Sequence, residues 1–342
     1  MSLEPRYFLP SLTRISDLDS RPFTVQPLPR EAWEPGDYVA ARVIGRPHTQ
    51  YRLELACGRM IDVMAGDHLI GAFGTRAATL GGVGDWTAIG EDLEMEALTS
   101  AGLFGKATST PAMQPGFMEL VYTGHVVREG RKLRMRDFVD PVPPRPLEIP
   151  VILLVGTSMS AGKTTTGRVI IHLLKQAGCR VVGAKLTGAG RYRDVLTFSD
   201  AGADHILDFV DVGLPSTVVG EEVFGTALTG LLHRIAHLEA DVLVAEAGAS
   251  PLEPYNGAIA IEALRERVCC TVLSASDPYA VLGVRTAFGL QPDLVTGPAT
   301  NTDAAIDLVY KLTGLKALNL MDPASLIPLR AVLGQALPRG LL

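Results

Sequence analysis

The stretch "VILLVGTSMSAGKTTTG", Val151 to Gly167, decides how this chain is read. An apolar run ends in glycine, a Gly/Ser/Thr loop follows, and Gly162-Lys163-Thr164 opens a segment of helical length. Strand, loop and helix in that order are the context of a phosphate-binding loop. In such a loop, backbone N–H groups and the first helical turn wrap a phosphate at the positive end of the helix dipole. On this reading Gly156, Thr157, Ser158, Ser160, Ala161, Gly162, Lys163, Thr164 and Thr165 cradle a nucleotide. Lys163 bridges the β- and γ-phosphates, and the Thr164 hydroxyl ligates Mg²⁺. The spacing is unusual, because five residues, Thr157 to Ala161, separate Gly156 from Gly162, one more than in G-x-x-x-x-G-K-[ST].

Downstream of this loop, the apolar runs "VILLVG", "RVVGAKL", "DVLVAEAG", "CCTVLSA", "PDLVTG" and "LKALNL" alternate with helix-length segments such as Thr165 to Gly178 and Val223 to Leu238. Runs that are apolar throughout suit parallel strands covered on both faces, and their alternation with helices suits βαβ units. Residues 151–342 are therefore expected to form a doubly wound, mostly parallel α/β domain of the P-loop NTPase type. Upstream, "DYVAARVIG", "YRLELACG", "MIDVMAG", "MELVYTGHVV" and "KLRMRDFV" are short, rich in strand-forming residues and separated by turn signals. They predict a smaller β-rich domain over residues 1–140 that begins with an irregular, proline-containing leader. Between the two, "DPVPPRPLEIP" disfavours helix and central strand, which makes 141–150 a linker.

Bulk properties narrow the function classes. The 342 residues suffice for two cores, and 31 Lys+Arg against 37 Asp+Glu give a net charge of −6. No basic run interleaves with aromatics, so nucleic acid is not an expected partner. Apolar runs are too short to span a bilayer, so no membrane association is expected and a cytoplasmic location is. Cys57, Cys179, Cys269 and Cys270 have no zinc spacing and fit reduced thiols.

The loop "GTSMSAGKTT" resembles that of the dethiobiotin synthetase and cobyrinic acid a,c-diamide synthase group, which shares the five-residue gap, and it lacks the early lysine of MinD-like ATPases. Three further segments carry the resemblance through residue 302. "VVGAKLTGAG" looks like the segment bearing a substrate-binding lysine, which implies that role for Lys185; a solvated strand-end lysine is the alternative. Leu186 stands where that group has proline. "DVLVAEAGASPLEP" resembles the strand ending in an acid that holds Mg²⁺, implying Glu246. "YRDVLTFSDAGADHILDF" looks like the region supplying a second acidic ligand, implying Asp200, with Asp194 and Asp204 as rivals and a helix cap as the alternative. Asn301 falls where this group reads adenine, or caps a helix.

The resemblance implies ATP and Mg²⁺ as cofactors and a small-molecule substrate, with a homo-oligomer expected. It implies a ligase or synthetase that activates a carboxylate or carbamate by phosphoryl transfer, with Lys163, Lys185 and Glu246 as catalytic residues. No glutaminase domain is expected after Asn301, where too few residues remain to form one. "EAGASPLEP" also resembles a two-domain family that includes D-glutamate N-acetyltransferases, which implies the alternative of an N-acyltransferase using acetyl-CoA on an amino acid. That family's N-terminal half is Rossmann-like, unlike the β-rich half read here. A nucleotide-sensing scaffold is the non-enzymatic alternative.

Some features tempt otherwise. His233 and His237 stand four apart, as zinc ligands on a helix can, but lack the glutamate of H-E-x-x-H. The glycine-rich "GDHLIGAFGTRAATLGGVGDW" and "GLFGKATS" read as turns, with Arg76 and Lys106 as candidates for gripping an anionic substrate.

Overall fold

The computed structural model describes residues 6–44, 52–112 and 115–342. These form two compact units. The first takes in the described residues up to Pro141 together with Ala189–Arg193 and Phe209–Gly220; the second takes in Val142–Gly188, Asp194–Asp208 and Glu221–Leu342. The sequence divided the chain at the proline-rich stretch alone, so the two downstream stretches in the first unit are a structural finding.

In the first unit, five strands pair in a closed ring: His68–Phe73, Tyr38–Val43, Met118–Arg128, Glu94–Thr99 and Leu103–Ser109, with the last returning to the first. Four of the pairings are antiparallel and the closing one is parallel. Side chains fill the interior, as in small barrels. Trp33 stacks 4.8 Å from Phe73 amid Val39, Leu69, Phe104 and Leu120.

Three expectations are corrected here. The segments read as glycine turns contain the barrel strands His68–Phe73 and Leu103–Ser109. Their glycines mark close approach: a Cβ on Gly71 would lie 2.4 Å from the Phe104 ring and 2.5 Å from the Gly102 carbonyl. The leader, too, is built in, since Thr24–Gln26 pairs with the long strand Met118–Arg128 and Leu12 is fully buried. Half of "KLRMRDFV", Met135–Phe138, is a 3₁₀ turn rather than a strand. A buried polar chain crosses this unit: the Tyr122 hydroxyl meets His125 Nδ1 at 2.6 Å, His125 Nε2 meets Asp37 at 3.1 Å, and Lys132 donates to Asp37 at 2.9 Å.

The second unit is a six-stranded sheet, parallel throughout, in the order His205–Asp208, Val181–Thr187, Val242–Ala247, Val151–Gly156, Val268–Ser274, Leu294–Thr296. Every residue of Val151–Gly156, Val181–Thr187 and Val242–Ala247 is buried, which requires cover on both faces. The strand His205–Asp208 was missed by sequence, and "LKALNL" gives only an isolated bridge, Val295 to Ala317. The expected helices are Lys163–Gln176 and Glu221–Ala236. Among the described residues no helix is long and apolar enough to cross a membrane.

Two carboxylates fix the start of the strand that carries Lys185. Asp204 accepts from the Val181 N–H and from Lys175, both at 2.7 Å, and Asp241 accepts from the Arg180 N–H at 2.7 Å. Burial works to raise the Asp204 carboxyl, but the hydrogen bonds from Lys175 and Val181 outweigh it and hold it below its ordinary range. Hydrogen bonds from the Arg180 side chain and backbone hold Asp241 low as well. A folded-state value below the unfolded one stabilises above the unfolded value of about 3.9 and loses that contribution as pH falls through the folded value. Urea unfolding measured from pH 6 to 3 should therefore show stability falling below about pH 4. The double variant Asp204→Asn/Asp241→Asn should show a shallower fall over the same interval.

Candidate functional site

Gly156 ends a buried strand, the loop turns over Thr157–Ala161, and Gly162 enters the helix at φ +95°, a left-handed conformation that suits glycine. Lys163 then folds back along the loop. Its side chain is 2% exposed and donates to the Ser158 carbonyl at 2.7 Å. Gly156 makes room for it, because a Cβ there would sit 2.6 Å from Lys163 Nζ and 2.8 Å from its Cδ.

The rest of the loop is anchored from behind. The Thr157 N–H donates to the Ser274 carbonyl at 3.1 Å and its hydroxyl accepts from the Ser276 N–H at 3.0 Å. Below it, the Thr166, Ser274 and Thr296 hydroxyls bond one another at 2.9 to 3.1 Å. Gly297 lies so close that a Cβ would be 2.4 Å from the Ala161 carbonyl. Ser158 Oγ is buried and has no hydrogen-bond partner among the described residues. Ser160 and Thr165 are exposed.

Parallel register brings the charged groups abreast at the carboxyl ends of neighbouring strands. Asp208 pairs with Lys185, and Lys185 pairs with Glu246. In-register residues of adjacent strands face the same side of the sheet. All three are buried, at 1%, 4% and 3% exposed. Glu246 accepts from the Thr164 hydroxyl at 3.0 Å, and Lys185 Nζ donates to Asp194 at 2.5 Å.

The two lysines differ in their electrostatics. Burial pushes the Lys163 ammonium below its ordinary value; Lys185 adds to this, while Glu246, Glu253 and Asp194 pull against it. Burial acts on Lys185 in the same direction, but Asp194, Glu246 and Asp208 together outweigh it and hold this ammonium above the ordinary value. Lys185 is thus a firmly charged cation inside a ring of acids, and Lys163 is a destabilised one that a further negative charge would relieve.

The turn after Glu246 is tightly constrained. A Cβ on Gly248 would sit 2.1 Å from the Thr187 carbonyl, Ala249 adopts φ +61°, and the Ser250 N–H donates to Glu253 at 2.6 Å. A non-glycine residue at positive φ is uncommon and concentrates at functional turns.

The structure brings together Gly156, Ser158, Lys163, Thr164, Lys185 and Glu246, and sets others apart. Asp200 is exposed at the last residue of the helix Tyr192–Asp200, so it closes a helix rather than opening one; its rival Asp194, in the first turn, meets Lys185. Asp204 serves the opposite end of the Lys185 strand, on Lys175 and Val181. Asn301 is exposed and ends a 3₁₀ turn, while Thr302 supplies the helix cap through its hydroxyl. His237 bonds the Pro143 carbonyl, and among the described residues no group of three His, Cys, Asp or Glu could hold a metal alone. Sequence reasoning missed Asp208, whose strand is too short to announce itself, and Glu253, whose only signal was its place in the turn after Glu246.

No family model and no curated protein matches the chain. Among solved structures it is similar to chloroplast FtsY from Physcomitrella patens, at 15% identity over 52% of this chain and 59% of that one, with a TM-score of 0.38. It is similar to a DUF1611 family protein from Anabaena variabilis, at 18% identity over 55% and 58%, with a TM-score of 0.35. It is also similar to HypB from Helicobacter pylori in complex with nickel, at 16% identity over 56% and 90%, with a TM-score of 0.35. The chain therefore spans less than two thirds of the first two neighbours.

Proposed function

We propose that the second unit binds ATP with Mg²⁺ and uses it to activate a small-molecule carboxylate or carbamate, as a ligase or synthetase. One observation carries this reading: a second buried lysine, Lys185, stands in register beside the acid that holds Thr164. A nucleotide-binding loop needs one lysine for its phosphates. A second ammonium, kept charged by Asp194 and Glu246, allows another anion to approach a triphosphate that would otherwise repel it.

The donor set suits Mg²⁺, since the Thr164 hydroxyl and the Glu246 carboxylate are hard oxygen ligands that already lie 3.0 Å apart. When bound, the ion would neutralise phosphate charge and orient the terminal phosphate. Lys163 would exchange the Ser158 carbonyl for phosphate oxygens and thereby shed the strain of its burial. Ser158 Oγ, buried and unpartnered among the described residues, is available to the same phosphates. Lys185 would hold the acid substrate in line, so that a carboxylate oxygen bonds the γ-phosphorus as the bond to ADP breaks. A nucleophile then takes the acyl group and releases phosphate.

Thermal unfolding with Mg·ATP, Mg·GTP and acetyl-CoA tests this reading. At about 100 times its dissociation constant, ATP should stabilise the protein by roughly 2.7 kcal/mol. Lys163→Ala should abolish that shift, and Gly156→Ala, which drives a methyl group into the Lys163 side chain, should weaken binding at least tenfold. A shift with acetyl-CoA alone would overturn the proposal in favour of acyl transfer.

Lys185→Gln separates binding from chemistry. It removes the buried ammonium beside Asp194, Asp208 and Glu246 and should cost about 3–5 kcal/mol of stability. Per folded molecule it should still bind ATP, yet release no ADP in response to added acids that stimulate the unaltered protein.

A further inference from the structure

The first unit contains a cavity of about 570 Å³ that the nucleotide reading does not use. Arg52, Arg76, Arg191 and Arg193 line it beside Phe117 and Thr99, and among the described residues no acidic one does. Its size falls within the range of small-molecule sites.

The arginines are placed by dedicated contacts. The Glu54 side chain, fully buried, accepts from the backbone N–H groups of Tyr192 and Arg193 at 2.7 and 3.2 Å and from the Ser11 hydroxyl. Its charge is taken up by backbone donors, which pins the segment bearing Arg191 and Arg193 while leaving their guanidinium groups uncommitted to it. Arg14 stacks 4.4 Å from the Tyr192 ring and pairs with Asp211, which fixes the residue between them. Arg76 donates to the Leu98 carbonyl and lies 5.4 Å from the Phe117 ring centroid, so its guanidinium plane is oriented. Arg52 pairs with Asp62, itself 79% exposed, at 3.4 Å. By contrast Lys106, the other cation singled out by sequence, is taken up by Glu96 and Glu94.

Guanidinium groups gathered at one cavity make its potential positive, which favours a ligand rich in oxyanions. Guanidinium forks match carboxylate and phosphate oxygens two at a time. We propose that this cavity binds a small molecule bearing two or more oxyanion groups, held by Arg76, Arg191 and Arg193 with Phe117 against its carbon skeleton. The site is assigned on the first unit's own residues and does not depend on what the second unit binds.

Isothermal titration of the 342-residue protein with tricarballylate and, separately, with fructose 1,6-bisphosphate tests this and tells carboxylate from phosphate ester. At least one probe should bind with a dissociation constant of about 1 mM or tighter, more weakly as salt rises. Arg191→Gln/Arg193→Gln, two exposed positions whose loss leaves Glu54 its backbone donors, should weaken binding at least tenfold with the melting temperature unchanged. Arg76→Gln should do the same but can also loosen the Leu98 strand, so the double variant is the decisive one. Lys163→Ala should bind the probe as the unaltered protein does, which keeps this result distinct from the fate of the ATP reading. Equal affinity in the double variant, or no binding of either probe at ~20 mM, overturns the proposal.

Discussion

The second unit depends on keeping two lysine ammonium groups charged where water does not reach. Lys163 and Lys185 are 2% and 4% exposed. An isolated ammonium cannot be moved from water into such a place at acceptable cost. The fold answers with acids delivered from separate elements: Asp208 and Glu246 from the flanking strands by register, Asp194 from a helix, and Glu253 from the turn beyond Glu246. Parallel pairing makes this possible because it brings successive strands to the same edge with their carboxyl ends together. A shift of one residue in any of these strands would turn its charged side chain to the other face and leave a lysine uncompensated.

The compensation is uneven, and the unevenness has chemical content. Lys185 has more acid around it than burial can offset, whereas Lys163 has less. Lys163 meets its need in part from the Ser158 carbonyl, a neutral acceptor that an anionic oxygen can outcompete. The backbone is shaped to permit this. Gly156 leaves the lysine its path, Gly162 turns the chain into the helix, and Gly248 lets the turn after Glu246 lie against Thr187. Positive φ at Ala249 is local strain held by the same packing.

How much of this was legible followed the range of the interactions. The phosphate loop is local: strand, glycine, lysine, threonine and helix lie within seventeen residues, Val151 to Gly167, and the sequence displays them in order. Lys185 and Glu246 were singled out through the resemblance of "VVGAKLTGAG" and "DVLVAEAGASPLEP" to the dethiobiotin synthetase group, helped by the apolar run that precedes each. Asp208 was not, since its strand, His205–Asp208, is half-buried for most of its length and has only Ile206 and Leu207 as apolar residues, too short a run to stand out. Asp200 and Asp194 lie on one helix, and composition alone could not say which end faces Lys185. In the first unit the glycines misled because one residue type serves two purposes. Gly130 and Gly66 adopt positive φ in turns, whereas Gly71 and Gly105 stand within strands where a neighbour comes too close for a Cβ.

Three buried acids show how burial alone fails to identify a functional group. Glu54 is fully buried, and its oxygens accept from two backbone N–H groups and a hydroxyl, partners that no ligand displaces without undoing the chain. Asp37 is equally buried and holds His125 and Lys132 within the first unit. Glu246 receives, among the described residues, a single hydrogen bond, from Thr164, and otherwise relies on the nearby charge of Lys185 and Lys163. Its partners are side chains beside the glycine-rich loop that runs from Gly156 to Gly162, and none of them is a backbone group. What separates a structural acid from a chemical one is therefore whether its partners can be exchanged, and by that criterion the exchangeable set lies where the strand carrying Glu246 meets the helix that begins at Lys163.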